Sequence, residues 1–195
     1  MNHSPVPADA LLDSALGAIS SGAGYRAVLD ALPVPVYLTD ADGLVTYWNQ
    51  ACVAFAGREP QLGRDRWCVT WQLYTLAGEP LAHEECPMAT AIRGRRSVRN
   101  EIAIAERPDG TRRAFTPYPT PLFDSAGRFT GAVNMLVDVS DEQVEVLTEQ
   151  AKRCRRLASY TNDRDATEVL DHMALDYERT AASLRQACPG LPSSD

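Results

Sequence analysis

The sequence predicts an α+β fold. It should hold a five-stranded antiparallel sheet with helices on one face, an N-terminal helix before it and a helical hairpin after it. Three observations carry this. First, β-rich runs are joined by tight turn signals at Ala41-Asp42-Gly43, Pro108-Asp109-Gly110 and Asp124-Ser125-Ala126-Gly127. Second, the runs come as strand, strand, helices, strand, strand, strand, which lacks the alternation of a parallel βαβ sheet. Third, both ends carry apolar residues at helical spacing.

Taken in order, residues 1–7 are polar and Pro-containing and read as disordered. From Ala8 to Ser20, Leu11, Leu12, Ala15, Leu16 and Ile19 recur at the spacing of an amphipathic helix. The run Ser20 to Gly24 breaks it, and a second helix from Tyr25 to Leu32 must end before Pro33. Val36–Asp40 and Leu44–Trp48 form a hairpin about Gly43. Asn49 stands where a cap is needed for a helix through Ala51 to Ala56. Residues 57–96 read as short helices and loops, with Pro87 in the first turn of a helix ending near Gly94. Val98–Glu106, Thr111–Phe123 and Phe129–Val139 are the last three strands. The middle one carries Pro117, Pro119 and Pro121, so it must be bulged or partly unpaired.

The tail continues in helix. Val144, Leu147, Ala151, Cys154 and Ala158 step by three and four. After Thr161-Asn162-Asp163 the stripe resumes through Leu170, Met173, Tyr177 and Leu184, with Asp165 and Glu168 as a capping pair. A helical hairpin and a coiled-coil pair both fit. A basic first helix and an acidic start to the second favour the antiparallel hairpin.

With 19 basic and 26 acidic residues the net charge is −7, and the isoelectric point is near 5.0. Such a chain has no bulk attraction for nucleic acid or anionic membranes. The clusters Arg93, Arg95, Arg96, Arg99 and Lys152, Arg153, Arg155, Arg156 read as solvated faces. No run approaches the roughly 18 apolar residues of a membrane span. Met1 to Asp9 lacks the pattern of a signal peptide. The expectation is a cytoplasmic protein. Five scattered cysteines, none in a CxxC pair, indicate neither zinc nor a disulfide framework.

Three stretches together resemble a PAS domain. They are Tyr37-Leu38-Thr39-Asp40-Ala41-Asp42-Gly43 with Tyr47-Trp48-Asn49, then Arg107-Pro108-Asp109-Gly110-Thr111, then Gly131 through Ser140. Gly78-Glu79-Pro80-Leu81 and Glu85-Cys86-Pro87-Met88 are similar to a subgroup from bacterial sensor kinases. The resemblance covers residues 25–142. It divides the chain into an N-terminal segment (1–24), a PAS-like domain (25–142), a helical hairpin or coiled coil (143–188) and a disordered tail (189–195). It implies a role in signal transduction, with Asp138 and Ser140 passing signal from the sheet to the following helix. Ser140 also reads as an N-cap, with Asp141 and Glu142 suiting the helix start.

Strand alternation and the resemblance place Tyr37, Thr39, Phe115, Asn134 and Leu136 on the inner face of the sheet. Trp67, Trp71, Met88 and Ile92 would form the opposite wall. These residues are either ordinary core or the lining of a ligand cavity. Asn134 needs a partner if buried. The photosensory flavin-binding PAS group carries Gly-x-Asn-Cys-Arg, whereas this region reads Gly63-Arg64-Asp65-Arg66-Trp67-Cys68. His83 and Cys86 are weak candidates for a heme ligand; no other metal site and no required cofactor is indicated. Residues 143–195 are too few for both a phosphoacceptor helix pair and an ATP-binding domain, and no Gly-rich phosphate loop appears. The expectation is therefore no enzyme and no catalytic residue. One reading is a protein-interaction adaptor working as a homodimer, with a histidine kinase or other signalling protein as partner. The other is a sensor holding heme, flavin or a metabolite. Leu12, Leu16 and Ile19 are the candidate dimer contacts, since an isolated short helix needs a cover.

Overall fold

In the computed structural model, residues 7–22, 24–161 and 163–186 are described. Of the stretches expected to be disordered, 1–7 and 189–195, only Pro7 falls among them. The elements in chain order are α1 (Ala8–Ser21), α2 (Tyr25–Asp30), β1 (Val36–Asp40), β2 (Val45–Trp48), α3 (Gln50–Ala56), β3 (Gln72–Tyr74), α4 (Pro87–Gly94), β4 (Ala103–Glu106), β5 (Arg112–Pro117), β6 (Thr120–Phe123), β7 (Phe129–Asp138), α5 (Ser140–Tyr160) and α6 (Arg164–Gln186).

The antiparallel sheet runs β2-β1-β7-β5-β4-β3, with β6 also paired to β7. Its five expected strands are present. The proline-rich strand is broken into β5 and β6, which pair with successive parts of the long central β7. Between them the Tyr118 N–H turns onto the Met135 carbonyl and the Asn134 side chain. Prolines on either side cannot donate to a ladder, so the break falls there. The three-residue β3 is an addition at the far edge, paired with β4.

β1 and β7 approach closely because Gly131 has no side chain. A Cβ there would overlap the Thr39 carbonyl. On the inner face, Tyr37, Phe115 and Leu136 pack with Phe55 of α3 and Met88 and Ile92 of α4 in one buried cluster. The outer face is covered in two halves. Leu12, Ala15 and Leu29 of α1 and α2 lie on Val36, Leu38, Val133 and Met135. Leu147, Ala181 and Leu184 of α5 and α6 lie on Ile104 and Ala114. Helices therefore cover both faces, the terminal ones taking the side away from α3 and α4.

Cap assignments change at α3 and α6. Asn49 precedes α3, but its side chain does not cap it. Its Oδ1 accepts from Val36 N at 3.0 Å, and its Nδ2 donates to the Leu29 and Val34 carbonyls at 2.9 Å each. It thus ties α2 to β1. At α6 the acceptor is Asp163, which takes the N–H groups of Asp165 and Ala166, rather than the Asp165–Glu168 pair.

Candidate functional site

Alternation along β1 and β7 sends Tyr37, Thr39, Asn134 and Leu136 inward. Tyr37 is fully buried, and its hydroxyl donates to the Trp67 carbonyl at 2.9 Å. The same oxygen accepts from Asn134 Nδ2 at 3.0 Å, and Asn134 Oδ1 accepts from Tyr118 N at 3.0 Å. The buried amide is thus satisfied by protein on both ends. Burial pushes the Tyr37 phenol well above its ordinary range, so it stays a neutral donor. Thr39 differs: its hydroxyl is buried and has no partner among the described residues.

The opposite wall forms only in part. Met88 and Ile92 are buried, and Trp67 packs against the cluster. Trp71 departs from expectation. It is 52% exposed and lines a surface cleft with Arg58, His83 and Glu84 instead of the interior. Trp67 takes a left-handed backbone, φ +68°, uncommon for a bulky residue. It is held by Trp67 N donating to the Gly43 carbonyl at 2.8 Å. Gly43 itself lies so close to the indole that a Cβ would overlap the ring.

Beyond the end of β7 the chain enters α5 without a linker. Ser140 is buried; its Oγ accepts from Ala114 N at 3.0 Å and donates to Asp138 Oδ1 at 2.6 Å. Asp138 Oδ1 also accepts from Ser140 N at 3.0 Å, and Oδ2 pairs with Arg113 at 2.6 Å. Ser140 is therefore not the expected N-cap. It is the first residue of α5, and its hydroxyl points back at β5. Sequence reading missed Arg113; the signal was a cation in a strand whose register places it near Asp138.

The model of the PAS fold matches residues 29–144, more than half of the 195 residues. This chain belongs to the PAS fold family. Among solved structures, a LOV domain from a blue-light activated histidine kinase of Erythrobacter litoralis is similar at 24% identity and TM-score 0.42, over 55% of this chain and 97% of that one. A LOV protein of Rhodobacter sphaeroides is similar at 14% identity and TM-score 0.45, over 92% and 97%. A PAS domain from Colwellia psychrerythraea is similar at 14% identity and TM-score 0.41, over 62% and 96%. Comparison with the curated proteins finds no match.

Cys86 is buried, and its sulfur accepts from Ala89 N at the start of α4. Burial pushes its thiol up to about 12, which leaves it un-ionised. His83 is half-buried, with Nε2 unpartnered among the described residues; burial lowers its pKa from 6.5. Leu12 is buried, and Leu16 and Ile19 are partly buried, against the outer face of this chain's own sheet. The chain's own sheet thus covers Leu12 of the expected dimer stripe in full and Leu16 and Ile19 in part. No described helix is long and apolar enough to cross a membrane.

Proposed function

We propose that this PAS protein is a non-enzymatic signalling adaptor of the bacterial cytoplasm. In this reading it acts through protein contacts, a histidine kinase or other signalling protein among them. Asp138 and Ser140 couple the sheet to α5, and the α5–α6 hairpin is the output surface. The observation that carries this is the buried Ser140 hydroxyl. It joins the end of β7, the neighbouring β5 and the first turn of α5 through two short bonds. A shift of β7 against β5 must break one of these bonds or move the helix. Phe115 and Leu136, which line the inner core, sit on the same two strands.

Ser140→Ala and Asp138→Ala are expected to keep the fold by far-UV circular dichroism. They should raise hydrogen exchange in the first two turns of α5. The loss of buried bonds at Ser140 should cost about 1–3 kcal/mol. Unchanged exchange there in both variants overturns the coupling.

A second reading rests on Thr39. Its orphaned hydroxyl faces inward beside the Tyr37–Asn134 pair, and a buried hydroxyl calls for a partner. That partner would be a small polar ligand or ordered water. An absorption spectrum and a native mass of the purified chain separate the two. Visible bands or added mass support the sensor, and the bare polypeptide mass supports the adaptor.

A further inference from the structure

A groove of about 830 Å³ opens on the surface beside the inner cluster. Four separate segments wall it. They are the β1–β2 turn at Asp42, the Arg66–Trp67 stretch, the C-terminal end of α4 with Arg93 and Arg95, and the β6–β7 turn with Arg128. Ile92, Trp67 and Phe129 give it an apolar side continuous with the buried cluster. The basic run from Arg93 to Arg99 is therefore divided. Arg93 and Arg95 line the groove, whereas Arg99 donates to the Pro119 carbonyl at 3.0 Å and to the Thr120 hydroxyl at 2.9 Å. Arg128 pairs with Asp124 at 2.7 Å, but Arg66, Arg93 and Arg95 make no ion pair among the described residues. The guanidiniums of Arg66 and Arg95 lie over the Trp67 and Phe129 rings, 5.7 and 5.6 Å from the centroids. A ring face steadies a guanidinium and leaves its N–H edge free for an anion. Four arginines against Asp42 and Asp124 leave +2 here, on a chain whose net charge is −7.

The backbone is strained at the same place. Among the described non-glycine residues, only Trp67, Arg95 and Asn100 take a positive φ, at +68°, +49° and +60°. Asparagine tolerates that region; tryptophan and arginine do so poorly. The other two both line the groove. Arg95 ends α4 in a left-handed position where glycine is usual, although Gly94 stands next to it. Arg66 is set at the rim because residues 65–67 are tied along residues 43–45. Val45 N donates to the Asp65 carbonyl at 2.9 Å, and Trp67 N to the Gly43 carbonyl at 2.8 Å. Strain of this kind persists where the surrounding structure enforces it, and it collects at ligand sites. We propose that the groove binds a small molecule carrying two adjacent phosphate groups. One guanidinium fork takes two oxygens of a phosphate at once. A diphosphate presents oxygens in several directions, so unpaired arginines from separate segments can hold it together. A lone carboxylate is planar and serves a single fork. The volume lies within the roughly 300–1,000 Å³ of small-ligand clefts. Walls from four segments suit a compact ligand better than an extended peptide. The groove is separate from the inward-facing Thr39 hydroxyl, and the proposal stands whether or not the Asp138–Ser140 junction carries signal.

Isothermal titration calorimetry of the full chain with sodium pyrophosphate tests this. About one equivalent should bind, with a dissociation constant at or below about 100 micromolar. Orthophosphate should bind at least about tenfold more weakly, since it engages fewer guanidiniums. Arg66→Ala and Arg95→Ala should each raise the dissociation constant at least about tenfold. Arg156→Ala, exposed on α5, should leave it unchanged. Arg95→Gly separates site from fold, because it removes the fork and relieves the left-handed backbone. Its dissociation constant should rise at least about tenfold while the urea denaturation midpoint holds or rises. ADP distinguishes the sources of the anion. Tighter binding than pyrophosphate assigns the groove to an organic diphosphate, and equal or weaker binding assigns it to the free anion. Absence of saturable binding by either overturns the proposal. So does an affinity indifferent to Arg66→Ala and Arg95→Ala. Citrate bound more tightly than both overturns the phosphate assignment. An Arg95→Gly variant that binds like the wild type overturns the role of Arg95.

Discussion

Asn49 makes three hydrogen bonds to backbone groups of three different residues, and it is 1% exposed. Losing an ordinary helix cap costs about 1 kcal/mol. Asn49→Ala would instead leave Val36 N and the Val34 carbonyl without this partner and the Leu29 carbonyl with only Leu32 N, at about 2–5 kcal/mol. A urea denaturation midpoint measures this, and a loss in the range of a simple cap would contradict the tie seen between α2 and β1. His83 gives a pH-dependent counterpart. Its pKa is lowered chiefly by burial, with a smaller contribution from Arg58. The unfolded chain therefore binds the proton more readily than the fold does. The stability it contributes is full above its ordinary value of 6.5 and is lost as pH falls through the lowered folded value. Denaturation midpoints of the wild type should decline between about pH 7 and 5, and His83→Gln should flatten that decline. An equal decline in the variant would assign it to other groups.

The strands β1, β2 and β7 were legible in the sequence because alternation and turn residues agree there. The hairpin about Gly43 forms as its φ of +83° demands glycine. The broken strand was legible from its prolines, though not the place of the break, which depends on Tyr118 finding acceptors on β7. β3 escaped notice because three residues carry no periodicity; Leu73 alone signalled burial. Trp71 was misplaced for a related reason. In an irregular stretch no period says which of two nearby tryptophans faces inward, and the left-handed turn at Trp67 decides it. For α1 the stripe was legible but its cover was not, since sequence spacing cannot separate the chain's own sheet from a second copy. With the cover on the page, Leu12→Ala should lower stability by about 2–4 kcal/mol through the cavity it leaves against the outer face. It should leave the sedimentation coefficient unchanged. A variant that becomes monomeric at unchanged stability would return α1 to the dimer interface.

Across the whole molecule, one sheet has an inner face built by α3 and α4 and an outer face shared by the two chain ends. The hairpin is half docked and half projecting. Its base sits on Ile104 and Ala114 through Leu147, Ala181 and Leu184, whereas its tip presents Leu157, Tyr160, Val169 and Met173 to solvent. The base should therefore contribute to folding and the tip should not, and the two can be separated by substitution. Leu184→Ala removes a fully buried side chain between the hairpin and the sheet. It should cost about 2–5 kcal/mol and speed hydrogen exchange in β4, β5 and the C-terminal half of α6. Tyr160→Glu lies far along α5 from that contact and should leave the same amides as protected as in the wild type. If Leu184→Ala instead raised exchange only near the hairpin tip, the base would not be packed on the sheet. A movement of β5 or β7 would then reach the hairpin only through the β7–α5 junction, where Val139 N and the Ser140 hydroxyl bond to Ala114 of β5.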